Sequence, residues 1–358
     1  LLVGAVMSSV PLLVALLFGD WNSALVQCLI VLAFTGLGFT LHRAGISGEL
    51  QRNEALVLVA LTFVVTPLLS AFLFVAFGLS FTDALFEAVS GISTTGLSTV
   101  ADPYIYPATF LFTRAWLQWY GGLGVIVLGI ALLGGQDIAT RRLYTPLDDR
   151  VLANSSRQFA RQMLRVYVLL SLGAWVVLSV AGTDPFIALL HTLSAVSTGG
   201  FSPFADSLQH LPDWGNRYLV IALSLIGALP LAMVIERGLR QVGSDVEVRT
   251  LLALCLGWTL LLAWRMHQTL GIDWSEALLQ GGLLGISAQS TTGFAVLAPM
   301  HLDDMAKLLL CLAMLSGGCV GSTAGGIKLL RILILLRVLQ LYFLRSAMPR
   351  HAVVPHKL

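Results

Sequence analysis

The stretch SGISTTGLSTV, residues 90–100, gathers Ser90, Ser93, Thr94, Thr95, Gly96, Ser98 and Thr99 at the end of an apolar run. A patch of that kind is a packing seam, a loop, or a place where backbone serves as a ligand. The surrounding composition narrows the choice. Of the 358 residues, 57% are hydrophobic and 11% charged, with a mean hydropathy of +0.85, whereas soluble domains carry about 25% charged residues. The chain reads as an all-α integral membrane protein, with recurrent apolar runs able to cross a hydrocarbon core about 30 Å thick. The run over residues 1–18 has no basic n-region or cleavage site, and a second run, 24–41, follows it, so it is expected to remain as a helix. The formal net charge of +2 leaves no footprint for a nucleic acid, and the lipid bilayer is the expected surrounding. Cys28, Cys255, Cys311 and Cys319 lie in apolar spans without metal-ligand spacing and read as small buried hydrophobes.

Short basic loops mark the cytoplasmic side of a multi-pass protein. The basic groups are His42, Arg43 and Arg52; then Arg141, Arg142, Arg150, Arg157, Arg161 and Arg165; then Arg237, Arg240 and Arg249; and last Arg331, Arg337, Arg345, Arg350 and Lys357. Connections around Asp20, Asp102, Asp206 and Asp213, and Asp303 and Asp304 are poor in basic residues and face outside, which leaves the N-terminus cytoplasmic. Successive basic groups require an even number of crossings between them. Yet three apolar pieces, about 55–78, 83–93 and 108–134, lie between Arg52 and Arg141. The middle piece is too short to span. It is expected to be a re-entrant half-helix that returns as extended chain, which is tolerated at membrane depth only where protein buries it or it lines a watery cavity.

The pattern recurs. A short run from Pro185 ends in SAVSTGGFSPF (194–204), and another from Ala277 ends in SAQSTTGFAVL (287–297), each between longer apolar runs. Register places Thr94, Thr95 and Gly96 against Ser197, Thr198 and Gly199 and against Thr291, Thr292 and Gly293, with the glycines 103 and 94 residues apart. Each unit is then a full helix, a half-helix, a hydroxyl-hydroxyl-glycine segment and a second full helix. Packed about one axis, such segments present rings of backbone carbonyls that replace the hydration shell of a monovalent cation. Half-helix C-termini aimed at the axis favour a cation. Asp83, Asp184, Asp273 and Glu276, near the outer N-termini, suit capping and an electronegative entrance. The competing reading of a single segment is close packing, since Ser, Thr and Gly also line helix contacts in membranes.

A second signal is LSGGCVGSTAGGIKLLRILILLRVLQ, residues 315–340. Gly317, Gly318, Gly321, Gly325 and Gly326 with Ser316, Ser322 and Thr323 predict a break in the helix at membrane depth, since interior glycines each cost about 1 kcal/mol. A polar loop there suits a gate, with Lys328 as a local barrier to cations; the alternative is close packing beside a snorkelling lysine. The order GSTAGGIK is not a phosphate-binding loop. Gly121, Gly122 and Gly124 read as packing glycines, and Pro230 predicts a kink in a helix running from about Tyr218 to Ile235.

Two other classes remain on the residues. An intramembrane enzyme needs a nucleophile, base or metal ligands converging at depth; Glu87 and His191, eight or nine residues before Gly96 and Gly199, suit support of a pore better, and His42, His210, His267, His301, His351 and His356 fall near interfaces or loops. A secondary symporter coupled to protons or sodium is the other. Such folds pair inverted repeats, whereas these units run parallel.

The three segments, RAWLQWYGGLGVIVL (114–128) and GGCVGSTAGGIKLLRILILL (317–336) together resemble the Trk/Ktr/HKT superfamily of potassium uptake proteins, most closely its bacterial TrkH-type subunit. The resemblance implies M1-P-M2 repeats (helix, re-entrant pore helix, helix) around a central pore: two N-terminal helices over 1–44, repeats over 45–140, 141–240 and 241–358, the last with a broken second helix. It implies filter residues Thr94, Thr95, Gly96, Ser197, Thr198, Gly199, Thr291, Thr292 and Gly293, where potassium binds. It also implies a gating loop of Gly317, Gly318, Gly321, Ser322, Thr323, Gly325, Gly326 and Lys328. No covalent cofactor and no enzymatic activity are expected; K+ is the substrate, with Rb+ as a surrogate. A homodimer in the bacterial cytoplasmic (inner) membrane is implied, working with a cytoplasmic nucleotide-binding Trk-type regulatory ring. The family has four repeats, so this sequence is expected to be truncated after the third. Glycine at Gly96 resembles the potassium-preferring members.

Overall fold

The computed structural model describes residues 2–43, 52–142, 149–231, 243 and 245–347. Among them the chain is helical, with no strand. Arg237, Arg240, Arg350 and Lys357, used above for topology, lie outside the described residues, as do positions 232–235 of the predicted 218–235 helix.

Helices α1 (Leu2–Leu17) and α2 (Trp21–Arg43) pack on each other across a short turn. Asp20 in that turn starts α2 by accepting from the Ser23 amide (3.2 Å) and hydroxyl (2.6 Å). Its other bond comes from the Thr109 hydroxyl at 2.5 Å, which ties the pair to the next unit. Burial pushes the Asp20 carboxyl up, but these bonds outweigh it and hold the group below the ordinary aspartate value. Trp116 adds a second tie, donating from Nε1 to the Met7 carbonyl at 2.8 Å.

Next come α3 (Arg52–Ala76), α4 (Phe81–Ile92) and α5 (Ala108–Arg142). They are followed by α6 (Asp149–Val180), α7 (Pro185–Val196) and α8 (Trp214–Gly227). The rest are α9 (Val246–Leu270), α10 (Trp274–Gln289), α11 (Asp304–Ser316) and α12 (Leu329–Ala347). Three stretches in described helices, Trp21–Thr40, Arg161–Val180 and Val246–Leu270, are long and apolar enough to cross a membrane. Leu169, Val176 and Leu256 stand exposed on their faces. An apolar exterior of this kind suits lipid, not water.

Of the short helices, α4 and α7 start on side-chain caps, whereas Asp273, expected to cap α10, makes no capping hydrogen bond. Ser80 accepts from the Asp83 amide, Asp184 from the amides of Phe186 and Ile187, and α10 begins after Asp273 with Glu276 in its first turn. This last start is three residues earlier than the Ala277 expected from the apolar run. Each of these three packs on the helices before and after it in the chain: α4 on α3 and α5, α7 on α6 and α8, α10 on α9 and α11. In addition α5 packs on α7, and α8 on α10.

One expectation is corrected. At Pro230 the helix is interrupted and not merely bent: α8 stops at Gly227, with Ala228 as its cap, three residues before the proline, and helical backbone returns at Leu231. Proline offers no N–H and drives its predecessor out of the helical region, so the helix closes early.

Candidate functional site

The three short helices end alike. Each closes on a serine: Ser93 (φ −81°, ψ 0°), Ser197 (−81°, −3°) and Ser290 (−76°, −4°). The next residue is a threonine in left-handed backbone, with φ of 55° at Thr94, 52° at Thr198 and 56° at Thr291. Their amides bond to Gly91, Ala195 and Ala288 at 3.0, 2.9 and 3.0 Å, and the following amides of Thr95, Gly199 and Thr292 reach Ser90, Ser194 and Ser287 at 3.0, 2.8 and 3.0 Å. This is the Schellman ending, in which glycine usually takes the left-handed place. A β-branched residue there is an outlier costing about 1–2 kcal/mol, and such strain collects at ligand clamps and other functional sites.

Two residues beyond each threonine stands a glycine of positive φ: Gly96 (78°), Gly200 (81°) and Gly293 (86°). The second segment therefore shifts by one position against the register read from sequence. Gly200, not Gly199, corresponds to Gly96 and Gly293; Thr198 corresponds to Thr94; Ser197 is the helix cap. The doublet Gly199-Gly200 allowed both alignments, and the helix ending selects one.

The segments interlock backbone to backbone. A Cβ on Gly96 would fall 2.1 Å from the Gly199 carbonyl oxygen, and one on Gly200 would fall 1.9 Å from that of Thr292. Only glycine permits that approach. First meets second, and second meets third.

Side chains from α5 hold this arc from behind. Gln118 donates from Nε2 to the Gly199 carbonyl at 2.7 Å and accepts from the Phe201 amide at 3.0 Å. Arg114 and Glu87 form a buried ion pair at 3.1 Å. Glu87 also accepts from the Thr99 amide (3.0 Å) and the Ser98 hydroxyl, while Arg114 donates to Ser202 O (3.2 Å) and Ser98 Oγ (3.1 Å). His191 stands nine residues before Gly200, as Glu87 does before Gly96, with Nδ1 3.0 Å from Ile187 O and Nε2 3.4 Å from Ser202 Oγ. Both are buried structural partners of the segments. The glycines of α5 are packing residues: a Cβ on Gly121 would meet the Ile92 carbonyl at 1.9 Å, one on Gly122 the Ser197 Cβ at 2.9 Å, and one on Gly124 the Phe63 ring at 3.1 Å.

Between α11 and α12 the helix is broken over 317–328, and all eight residues predicted for the loop lie in it. Gly317, Gly321, Gly326 and Lys328 have φ of 68°, 76°, 78° and 78°. Thr323 binds the Gly227 carbonyl through both its amide (3.1 Å) and its hydroxyl (3.0 Å). The Thr198 hydroxyl donates to that of Thr323 at 3.2 Å, and the Gly325 amide donates to the Thr291 hydroxyl at 2.6 Å. The loop is thus attached to two of the three strained threonines. Lys328 folds back, donating from Nζ to the carbonyls of Ser322 (3.3 Å) and Ala324. Glu247 of α9 accepts the amides of Val320 (2.7 Å) and Leu330 (3.1 Å), pinning both sides of the break.

Gln118, Arg114, Gly200 and Glu247 escaped the sequence reading as site residues. Gly200 alone had a local signal, the glycine doublet.

The model of the family described as "TrkH: Cation transport protein" matches residues 52–236 and 247–358. The chain belongs to the TrkH family. It is 31% identical over 350 residues to the Trk system potassium uptake protein TrkH of Escherichia coli, covering 92% of this chain and 71% of that protein. To TrkG of the same organism, also a Trk system potassium uptake protein, it is 29% identical over 347 residues, with 92% and 71% covered. The crystal structure of the potassium transporter TrkH from Vibrio parahaemolyticus superposes with a TM-score of 0.85 at 26% identity, over 99% of this chain and 76% of that one. Members of this family are transporters, so the enzyme alternative falls away and the chain is a membrane protein of cation transport.

Proposed function

We propose that this chain carries potassium across the bacterial cytoplasmic membrane, selecting it at the segments Thr94–Gly96, Thr198–Gly200 and Thr291–Gly293. The observation that carries this reading is the threefold identity of the helix endings, with left-handed threonine, left-handed glycine and backbone contact from each segment to the next. In the M1-P-M2 reading the segments face a common axis. Carbonyls ordered in that way stand in for hydration water, and their number and field set which cation is accepted. The helix C-termini behind them add negative potential. Relatives named as potassium uptake proteins support the choice of ion.

The 317–328 loop is the gate of this reading. It hangs from the threonine hydroxyls and the α8 carbonyls, and Lys328 brings a positive charge to a path meant for cations. A dimer, a cytoplasmic regulatory ring and an N-terminus on the cytoplasmic side complete the proposal.

The test is uptake of rubidium and sodium by cells without their own potassium systems, expressing the full-length gene product with its regulatory partner. Rubidium uptake above background and in preference to sodium is expected, with uptake of both ions lost in Gly96→Ser, whose Cβ would fall 2.1 Å from the Gly199 carbonyl oxygen. No uptake of either ion by the unaltered protein would overturn the reading.

A further inference from the structure

The motif at 114–128 carries more than packing glycines. Arg114 and Gln118 lie one turn apart on α5, so they share a face, and that face reaches beyond its own unit to the second unit's segment. We infer that these two residues are positioning residues for ion discrimination: through them the first unit sets the backbone of the second unit's filter segment at Gly200. The inference rests on the filter reading given above.

The geometry is specific. Gly200 is flanked by two peptide groups, and the single amide of Gln118 holds both. Its Nε2 takes the carbonyl of the peptide before Gly200, at Gly199, and its Oε1 takes the N–H of the peptide after it, at Phe201, with distances of 2.7 and 3.0 Å. Two bonds from one planar group fix the orientation of both planes and so the left-handed turn between them. Gln118 is fully buried, with 0% of its surface exposed, so neither bond competes with water.

Arg114 continues the same hold by one more residue. Its guanidinium lies 4.1 Å from the centre of the Phe201 ring and donates to the Ser202 carbonyl at 3.2 Å. On its other side it meets Glu87 and Ser98, and Glu87 holds Thr99. One buried ion pair therefore joins Ser98–Thr99 of the first segment to Phe201–Ser202 of the second. Packing alone would be served as well by apolar side chains, because removing two charges from water is costly. What the polar pair adds is fixed geometry.

The arrangement is not repeated in the next unit. Gly227 of α8 approaches the Val196 carbonyl as Gly121 of α5 approaches that of Ile92. Counted from those glycines, the place of Gln118 is taken by Ser224, whose hydroxyl bonds within its own helix to the Val220 carbonyl at 3.2 Å. The clamp is a property of the first-to-second junction. A smaller cation is excluded when carbonyls are kept from closing on it, and a segment held on both sides of its glycine resists that closure.

The experiment compares initial rubidium and sodium uptake rates in the same cells for the full-length protein and its variants. Their ratio does not depend on how much protein reaches the membrane. Gln118→Met keeps the length and loses both bonds; Arg114→Lys keeps the charge facing Glu87 and loses the planar fork. In Gln118→Met the rubidium preference is expected to fall about tenfold, the change that ~1.4 kcal/mol of differential ion stabilisation produces, with a smaller fall in Arg114→Lys. Should Gln118→Met not accumulate, Gln118→Glu, which sets an oxygen against the Gly199 carbonyl, carries the same expectation. A selective parent whose Gln118 variants keep its ratio to within about twofold overturns the clamp and leaves the filter reading standing. A parent that takes up neither ion overturns both.

Discussion

Gly199→Ala and Gly200→Ala, adjacent substitutions of identical chemistry, are expected to have different consequences. At Gly200 the backbone is left-handed with φ of 81°, and the new methyl would sit 1.9 Å from the Thr292 carbonyl oxygen. Ordinary contact begins at 3.4 Å, so that carbonyl must retreat by about 1.5 Å. Left-handed alanine costs about 1–2 kcal/mol before any displacement, and the displaced oxygen belongs to the neighbouring segment. Gly199 has no such dihedral demand. Its methyl would meet the side-chain amide of Gln118 at 2.4 Å, a group able to swing away. Rubidium uptake by Gly200→Ala should therefore drop at least about thirtyfold, the equivalent of ~2 kcal/mol, for both cations together. Gly199→Ala should retain transport and lose preference instead, because it dislodges the Gln118 amide. The assay is uptake from radiolabelled medium, normalised to membrane protein by immunoblot. If Gly200→Ala transports like the parent while Gly199→Ala is dead, the register drawn from the helix endings is wrong and that read from the sequence is right.

Glu87→Gln leaves Arg114 buried without its counter-charge and should destabilise the detergent-solubilised protein by about 3–5 kcal/mol; the double variant Glu87→Leu with Arg114→Leu should melt above that single variant. Thr323→Val removes a hydroxyl that donates to one carbonyl at a time, so the loop's closed state should lose about 1 kcal/mol and resting rubidium leak should rise roughly fivefold. Unchanged leak would detach the loop from gating. At the α11 N-terminus, the Arg265 guanidinium, bonded at 2.9 Å, holds the Asp303 carboxyl below its ordinary value of 3.8. A depressed carboxyl stabilises the fold above its unfolded pKa and loses that contribution as pH falls through the folded one, so acid melting below pH 3.8 should be steeper in the parent than in Arg265→Gln.

The sequence alone discloses the elements better than their junctions. Short apolar runs before Gly96, Gly199 and Gly293 marked α4, α7 and α10, because a run of twelve to sixteen residues is visible as such. The break after Ser316 was legible from glycine density. The left-handed threonines were not, since local preference argues against threonine there, and tertiary contacts overrule it. Gln118 and Arg114 act on residues more than eighty positions away. No local pattern records which glutamine on a buried helix will meet which carbonyl.

The backbone contacts of Gly96 with Gly199 and of Gly200 with Thr292 bear on how such a chain can diversify. A repeat that buried its critical glycine within itself could be copied, exchanged or replaced as a cassette. Here the room required by one unit's glycine is defined by the carbonyl of the next, and the amide that steadies the second segment is encoded in the first. The segments are thereby not interchangeable: each is fitted to its neighbour, and a change at one junction asks for its answer about a hundred residues downstream.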